Sequence, residues 1–140
     1  MVLTDNGSTD NGGANQSFQA VSVTITVNAV NDAPVIAPVN NPSPVNEDNQ
    51  IGPIAVTLSD VDTDVSNVTL TGTSDNPTLI TDSNIVITGT GAIRMVTITP
   101  TANRSGTAII TLIANDGLAD SSPVTFSVTI NAINDRPIVS

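Results

Sequence analysis

The chain has 140 residues, 39% of them hydrophobic and 1% aromatic, and it lacks Cys, His, Trp and Tyr. Thirteen acidic residues against Arg94, Arg104 and Arg136 give a formal charge of −10, with no Lys. That composition excludes disulfide staples and Lys–Asn crosslinks, offers no basic patch to nucleic acid or an anionic membrane, and removes most of the usual catalytic bases and nucleophiles.

The apolar residues are mainly Val, Ile, Leu and Ala, with Thr, Ser and Asn between them. β-branched side chains fit a half-buried pleated surface, and no window carries a useful helical period. The chain is therefore expected to be all-β. No stretch is long and apolar enough to span a bilayer, and Met1 is followed by no signal peptide. The length suits one domain plus a remnant, and the chain reads as a piece of a longer protein.

In chain order, Val2 to Gly7 and the alternating run Val21-Ser22-Val23-Thr24-Ile25-Thr26-Val27 read as the last two strands of a preceding repeat. A mobile loop rich in Gly, Asn and Asp is expected between them, from Ser8 to Ser17. A lone hairpin of this kind is marginal in water and seeks other partners. Residues 1–32 are thus assigned to the end of one repeat, 33–135 to a complete repeat, and 136–140 to the start of the next linker. Within the complete repeat, Val35-Ile36 opens an edge segment broken by Pro38, Pro42 and Pro44. Next come Ile54 to Leu58, with Ile54, Val56 and Leu58 facing inward, an acidic loop at Asp60 to Asp64, and a strand marked by Val68 and Leu70. Short runs follow at Leu79-Ile80, Ile85 to Ile87 and Met95 to Ile98, and Thr107 to Ala114 and Val124 to Ile130 close the set. Seven or eight short strands with turn signals about every 8–12 residues predict an immunoglobulin-like antiparallel β-sandwich, with a closed barrel as the alternative.

One motif occurs twice. Asn28-Ala29-Val30-Asn31-Asp32-Ala33-Pro34 returns as Asn131-Ala132-Ile133-Asn134-Asp135-Arg136-Pro137. From Asn31 to Asn134, and from Pro34 to Pro137, the offset is the same 103 residues. A strand ending in Asn-Asp-x-Pro, repeated after one domain length, reads as the joint of a tandem array.

With these pieces in order, the chain resembles the cadherin-like and related immunoglobulin-like tandem repeats of large bacterial secreted and surface proteins. The resemblance rests on Glu47 soon after the linker, Asp60-x-Asp62 after the second strand, and Asn115-Asp116-Gly117 after the penultimate one. The Thr99-Pro100-Thr101-Ala102-Asn103-Arg104-Ser105-Gly106 turn and the Asn-Asp-x-Pro linkers complete it. The resemblance implies Ca2+ at the joints. The upper set would be Asn31, Asp32, Asp60, Asp62 and Asp116, and the lower set Glu47 and Asp135. Two departures from the cadherin pattern, Ala33 within the linker and Ala102-Asn103-Arg104 in place of Asp-Arg-Glu, put the weight on the upper joint. Ca2+ chemistry suits such a set, because the ion takes six to eight oxygens from carboxylates, amides and carbonyls on separate loops.

Each residue also has a plainer reading. Asp60 to Asp64 could be a solvated acidic turn; Val65 and Thr71 stand where an EF-hand needs Gly and Glu. Asp116-Gly117 could be a hairpin turn, and Asn31-Asp32 could end a strand ahead of a proline turn. Arg94 and Arg104 are expected to be solvated or paired with acids. The sequons at Asn6, Asn15, Asn67 and Asn103 would matter only on a eukaryotic secretory route. No catalytic site is expected. The function expected is a non-catalytic spacer of an extracellular, adhesin-type array, its partners being neighbouring repeats of the same polypeptide. The alternatives are homotypic strand addition through residues 1–30, giving a filament or matrix subunit, and a glycan- or protein-binding module.

Overall fold

The computed structural model describes residues 20–134. Eight strands occupy it: β1 (Val35–Ile36), β2 (Val45–Asn46), β3 (Ile51–Ser59), β4 (Thr69–Ser74), β5 (Ile85–Thr88), β6 (Ile93–Ile98), β7 (Gly106–Asn115) and β8 (Val124–Asn131). They form two four-stranded sheets in the orders β1-β3-β6-β5 and β2-β8-β7-β4. The only helical turn among the described residues is Asp82–Asn84. The fold is an all-β, immunoglobulin-like sandwich of two open sheets, and not a closed barrel.

The proline-broken opening segment explains how the two sheets are joined at their edges. Proline cannot donate to a ladder, so pairing survives only in two-residue pieces on either side of Pro38, Pro42 and Pro44. β1 joins one sheet antiparallel to β3, whereas β2 joins the other parallel to β8.

The core is aliphatic and lies between the sheets. Val56 and Leu58 from β3 face Ile110, Leu112, Phe126 and Val128 of the opposite sheet, all nearly inaccessible. Ile54 takes the expected inward face, half-buried and packed against the core in phase with Val56 and Leu58, and Ile51 adds a fully buried side chain beyond a register shift with β6 between Ile51 and Ile54. Gly52 makes that shift possible. Its φ is +104°, and a side chain there would meet the Val96 carbonyl at 2.6 Å. The Leu79-Ile80 run, read as a strand, is a buried turn closed by N–H groups of both residues onto the Asn76 carbonyl.

The expected strand at 21–27 is not formed, and residues 20–30 are exposed. A strand needs a partner ladder, and its expected hairpin mate, Val2 to Gly7, lies outside the described residues. The sandwich places the Asp60–Asp64 loop, the Asp116 turn and the incoming linker at one end. Glu47 and the outgoing linker lie at the other.

Candidate functional site

At the upper end, three pieces of chain meet through hydrogen bonds. Asp60 caps its own loop: Oδ1 accepts the N–H groups of Asp62 at 2.9 Å and Thr63 at 2.7 Å. This is an Asx turn, the ordinary use of a short carboxylate in a tight loop. Asp62 Oδ2 then accepts the backbone N–H of Asp32 at 2.7 Å, which docks the linker on the loop. Asp116 folds its own turn by accepting the N–H groups of Leu118 and Ala119 through Oδ1, each at 2.7 Å. Its other oxygen accepts from Asn31 Nδ2 at 2.8 Å. The Asn31 amide, with the Ala119 and Leu118 N–H groups, holds the Asp116 carboxyl below the ordinary aspartate range.

All five residues of the upper set therefore lie in one connected network, linker to loop to turn. One atom is left out. Asp60 Oδ2 is buried and accepts nothing, the only such side-chain atom among the described residues. Such atoms are rare in folded proteins and ask for a partner. Even so, among the described residues no three carboxylates are gathered closely enough to hold a metal ion as they stand. Asp64, in the same loop, is turned to a different task. Its Oδ1 takes both the N–H and the hydroxyl of Ser66, whose hydrogen bonds lower its pKa.

The lower set is built differently. Glu47 is 7% exposed, and its Oε1 accepts the N–H of Ile133 at 2.5 Å. Its own N–H donates to the Asn131 carbonyl at 2.9 Å, extending the β2–β8 ladder into the outgoing linker. Beside it, Asp48 Oδ1 accepts the N–H of Asn103, in the Pro-x-Ala-Asn turn, at 3.0 Å. Asp135, the other expected lower ligand, lies outside the described residues.

Arg94 departs from expectation. It is neither solvated nor aimed at an acid but 4% exposed, and its guanidinium donates to three backbone carbonyls. Two belong to Val65, at 2.9 Å, and Val68, at 2.8 Å, in the segment that follows the acidic loop; the third is Gly91. A planar fork of donors can bind several carbonyls together. Arg94 thus fastens the root of the acidic loop to the β5–β6 hairpin. The signal in the sequence was its place in an alternating strand, between Ile93 and Met95, both at least 41% exposed, so that it must point inward.

A sequence family described as bacterial Ig domain matches residues 31–129. The chain belongs to that family. The matched span of this bacterial Ig domain begins at Asn31 and leaves residues 20–30 outside. No curated protein matches the chain. Among solved structures, the domain is similar to the N-terminal Ig1-2 module of the Drosophila receptor protein tyrosine phosphatase DLAR. There the identity is 15% and the TM-score 0.51, over 76% of this chain and 53% of that one. It is also similar to the titin M10–obscurin-like 1 Ig complex, at 11% identity and TM-score 0.49 over 73% of this chain and 97% of that one. A third likeness is to domains 4 and 5 of the S-layer protein SbsC, at 20% identity and TM-score 0.46 over 80% of this chain and 59% of that one. Identities this low speak to the fold alone. Ig-like domains are generally non-catalytic structural or binding modules. No helix among the described residues is long and apolar enough to cross a membrane.

Proposed function

We propose that this bacterial Ig domain is a spacer in an extracellular tandem array, and that a divalent cation, Ca2+ by the chemistry of its oxygens, stiffens the joint. The observation that carries the reading is Asp60 Oδ2, buried and without a partner in the loop on which the incoming linker docks. An anionic oxygen removed from water with no donor is costly, and a cation reverses that cost.

The repeated motif supplies the rest. By the 103-residue offset, Val30 corresponds to Ile133, Asn31 to Asn134 and Asp32 to Asp135. The lower copy displays the backward contact, from the Ile133 N–H to Glu47 of the repeat just ended. The upper copy displays the forward contacts, from Asn31 and Asp32 to the acids of the repeat about to begin. In a continuous array each joint would have both. One Glu, the linker Asp and three acids of the next repeat would then gather around the same few residues. Asp60, Asp62 and Asp116 would supply carboxylate oxygens, and Asn31 and the linker backbone neutral ones, within the six to eight that Ca2+ takes. The loops stand too far apart to hold the ion unaided, so binding would draw them onto the linker and fix the angle between repeats. The domain's mechanical role would lie in reach and rigidity. The strongly acidic composition and the lack of Lys suit an environment rich in divalent cations.

The test is the melting temperature of the chain with millimolar Ca2+ and again with chelator. Extracellular sites commonly bind at roughly 10⁻⁴–10⁻³ M, and a bound ligand raises stability by mass action. A cation-dependent rise that vanishes in Asp60→Asn plus Asp62→Asn is expected. A rise that persists in that variant would move the site elsewhere.

A further inference from the structure

The two outer faces of the sandwich differ. On the β2-β8-β7-β4 sheet, Thr73, Thr111 and Thr125 form one row across three strands. Ile109 is the one large apolar side chain exposed there among the described residues. Hydroxyls suit that face to water. On the β1-β3-β6-β5 sheet, Val35, Val86, Ile93 and Met95 are each between 41% and 59% exposed. Met95 lies mid-sheet, opposite the exposed Ala55 in β3 and Thr88 in β5, and Ile93 stands opposite Thr57. Val86, two residues before Thr88, and Val35, opposite Ser59, carry the patch to either edge. Side chains two apart on a strand, or opposite on the next, share a face. These residues therefore make one apolar surface.

That face also lacks charge. Among the described residues every ionisable side chain lies in a turn, loop or linker at one end of the sandwich, apart from Arg94, which points into it. Asp32, Asp60, Asp62, Asp64, Asp116 and Asp120 lie at the upper end. Glu47, Asp48, Asp75 and Asp82 lie at the lower end, together with the exposed Arg104. Between copies of formal charge −10, the apolar sheet face is where a close approach sets no charge against another. Contiguous exposed apolar surface marks interaction sites, and the centres of interfaces are poor in charge and rich in residues such as Met.

We propose that this face pairs with the same face of a second copy of the domain, with the strands of the two copies antiparallel. A two-fold axis lying between the sheets and across the strands makes the contact isologous, so that Ile93 and Met95 of each copy pack on the apolar face of the other. This orientation sets the upper aspartates of one copy beside the end that carries Arg104 in the other. Parallel strands would bring the two upper ends together, and like charges side by side are costly. The occupant is not the next repeat of the same polypeptide, because the incoming linker docks on the upper end and the outgoing linker on the lower. The sheet faces look sideways from that line. The pair thus joins two arrays of opposite polarity; this last step rests on the array reading, whereas the pairing of two copies does not.

Sedimentation equilibrium of the chain over a concentration series tests the pairing, with chelator present so that the joint's cation plays no part. A monomer–dimer equilibrium that stops at the dimer is expected. Met95→Glu should weaken the dimer by about a hundredfold or more, since it sets like charges together inside the contact. Thr73→Glu, on the opposite face, should leave the dimer unchanged, and both variants should melt as the wild type does. Orientation is read from nitroxide labels on single cysteines, a residue the chain otherwise lacks. Thr90→Cys labels the exposed β5–β6 hairpin at the upper end, and Ala102→Cys labels an exposed turn at the lower end. A mixture of the two should give a shorter distance than either label gives with itself. A chain monomeric throughout would leave the face to a different partner and overturn the proposal. A dimer indifferent to Met95→Glu, one equally weakened by Thr73→Glu, or a mixed-label distance longer than the like-label ones would each overturn it too.

Discussion

The two ends of the domain treat the same linker motif in opposite ways. At the lower end one buried carboxylate, Glu47, is matched to one backbone N–H, that of Ile133, with the Asn131 carbonyl completing the ladder beside it. At the upper end Asp116 holds Asn31 and Asp62 holds Asp32, and one oxygen of the neighbouring Asp60 is buried with no donor among the described residues. The lower contact is complete with protein groups alone; the upper leaves one buried oxygen that the proposed cation would meet. A motif read as a single joint is thus two half-joints, one facing back and one facing forward.

The largest expected effect comes from Arg94, which roots the upper loop and has no counterpart at the lower end. Arg94→Met would leave the Val65, Val68 and Gly91 carbonyls without their donor inside the fold. A loss of about 3 kcal/mol is expected by chemical denaturation, in line with losing charge-assisted hydrogen bonds to buried carbonyls. Loss below about 0.5 kcal/mol would show the loop to be held some other way.

Glu47→Ala addresses the lower end alone. It leaves the Ile133 N–H unmatched at a cost of about 1–3 kcal/mol. Exchange at the Ile133 amide should accelerate, while that at Asp32 stays unchanged. Equal acceleration at both would mean that the two ends are not independent, and the comparison would fail.

Asp60→Asn plus Asp62→Asn addresses the upper end. Without a cation the change in stability should be under about 1 kcal/mol, because relief of repulsion among the acids offsets weaker capping of the loop. With Ca2+ the variant should gain nothing.

The smallest effect is that of acid. Asp116 has its carboxyl lowered by the Asn31 amide and the Ala119 and Leu118 N–H groups. A depressed carboxyl contributes stability that is present above its unfolded pKa, about 3.9, and lost as pH falls through the lower folded value. The Asn31 side-chain amide resonance should therefore stay fixed at neutral pH and shift only below the ordinary carboxylate range. A shift near neutrality would contradict the hydrogen-bonding scheme.

Much of this was legible in the sequence, and for physical reasons. Alternation of period two in β3, β7 and β8 marks one face of each strand as core, and the turn residues between them set the strand count. The nearness of Asn31, Asp32, Asp60, Asp62 and Asp116 was legible from the order of the motifs, and the turn-forming tasks of Asp60 and Asp116 from the ordinary use of short carboxylates in tight loops. Arg94 was misread because composition favours a solvated Arg, whereas its register between Ile93 and Met95 forces it inward. Leu79-Ile80 was misread because a short apolar run is equally at home in a buried turn. Glu47 was singled out for a metal, and its observed task is the backbone N–H of Ile133, 86 residues along the chain and beyond the end of β8. A pairing that distant is set by topology, which no local pattern encodes.

The proposed cation would complete the forward half-joint at Asp60 Oδ2. The most direct measurement is a calorimetric scan of the chain in Ca2+ and again in chelator, with amide exchange across residues 28–35. A higher Tm and slower exchange of the linker are expected in Ca2+, both lost in Asp60→Asn plus Asp62→Asn. Superimposable scans with unchanged linker exchange would contradict it.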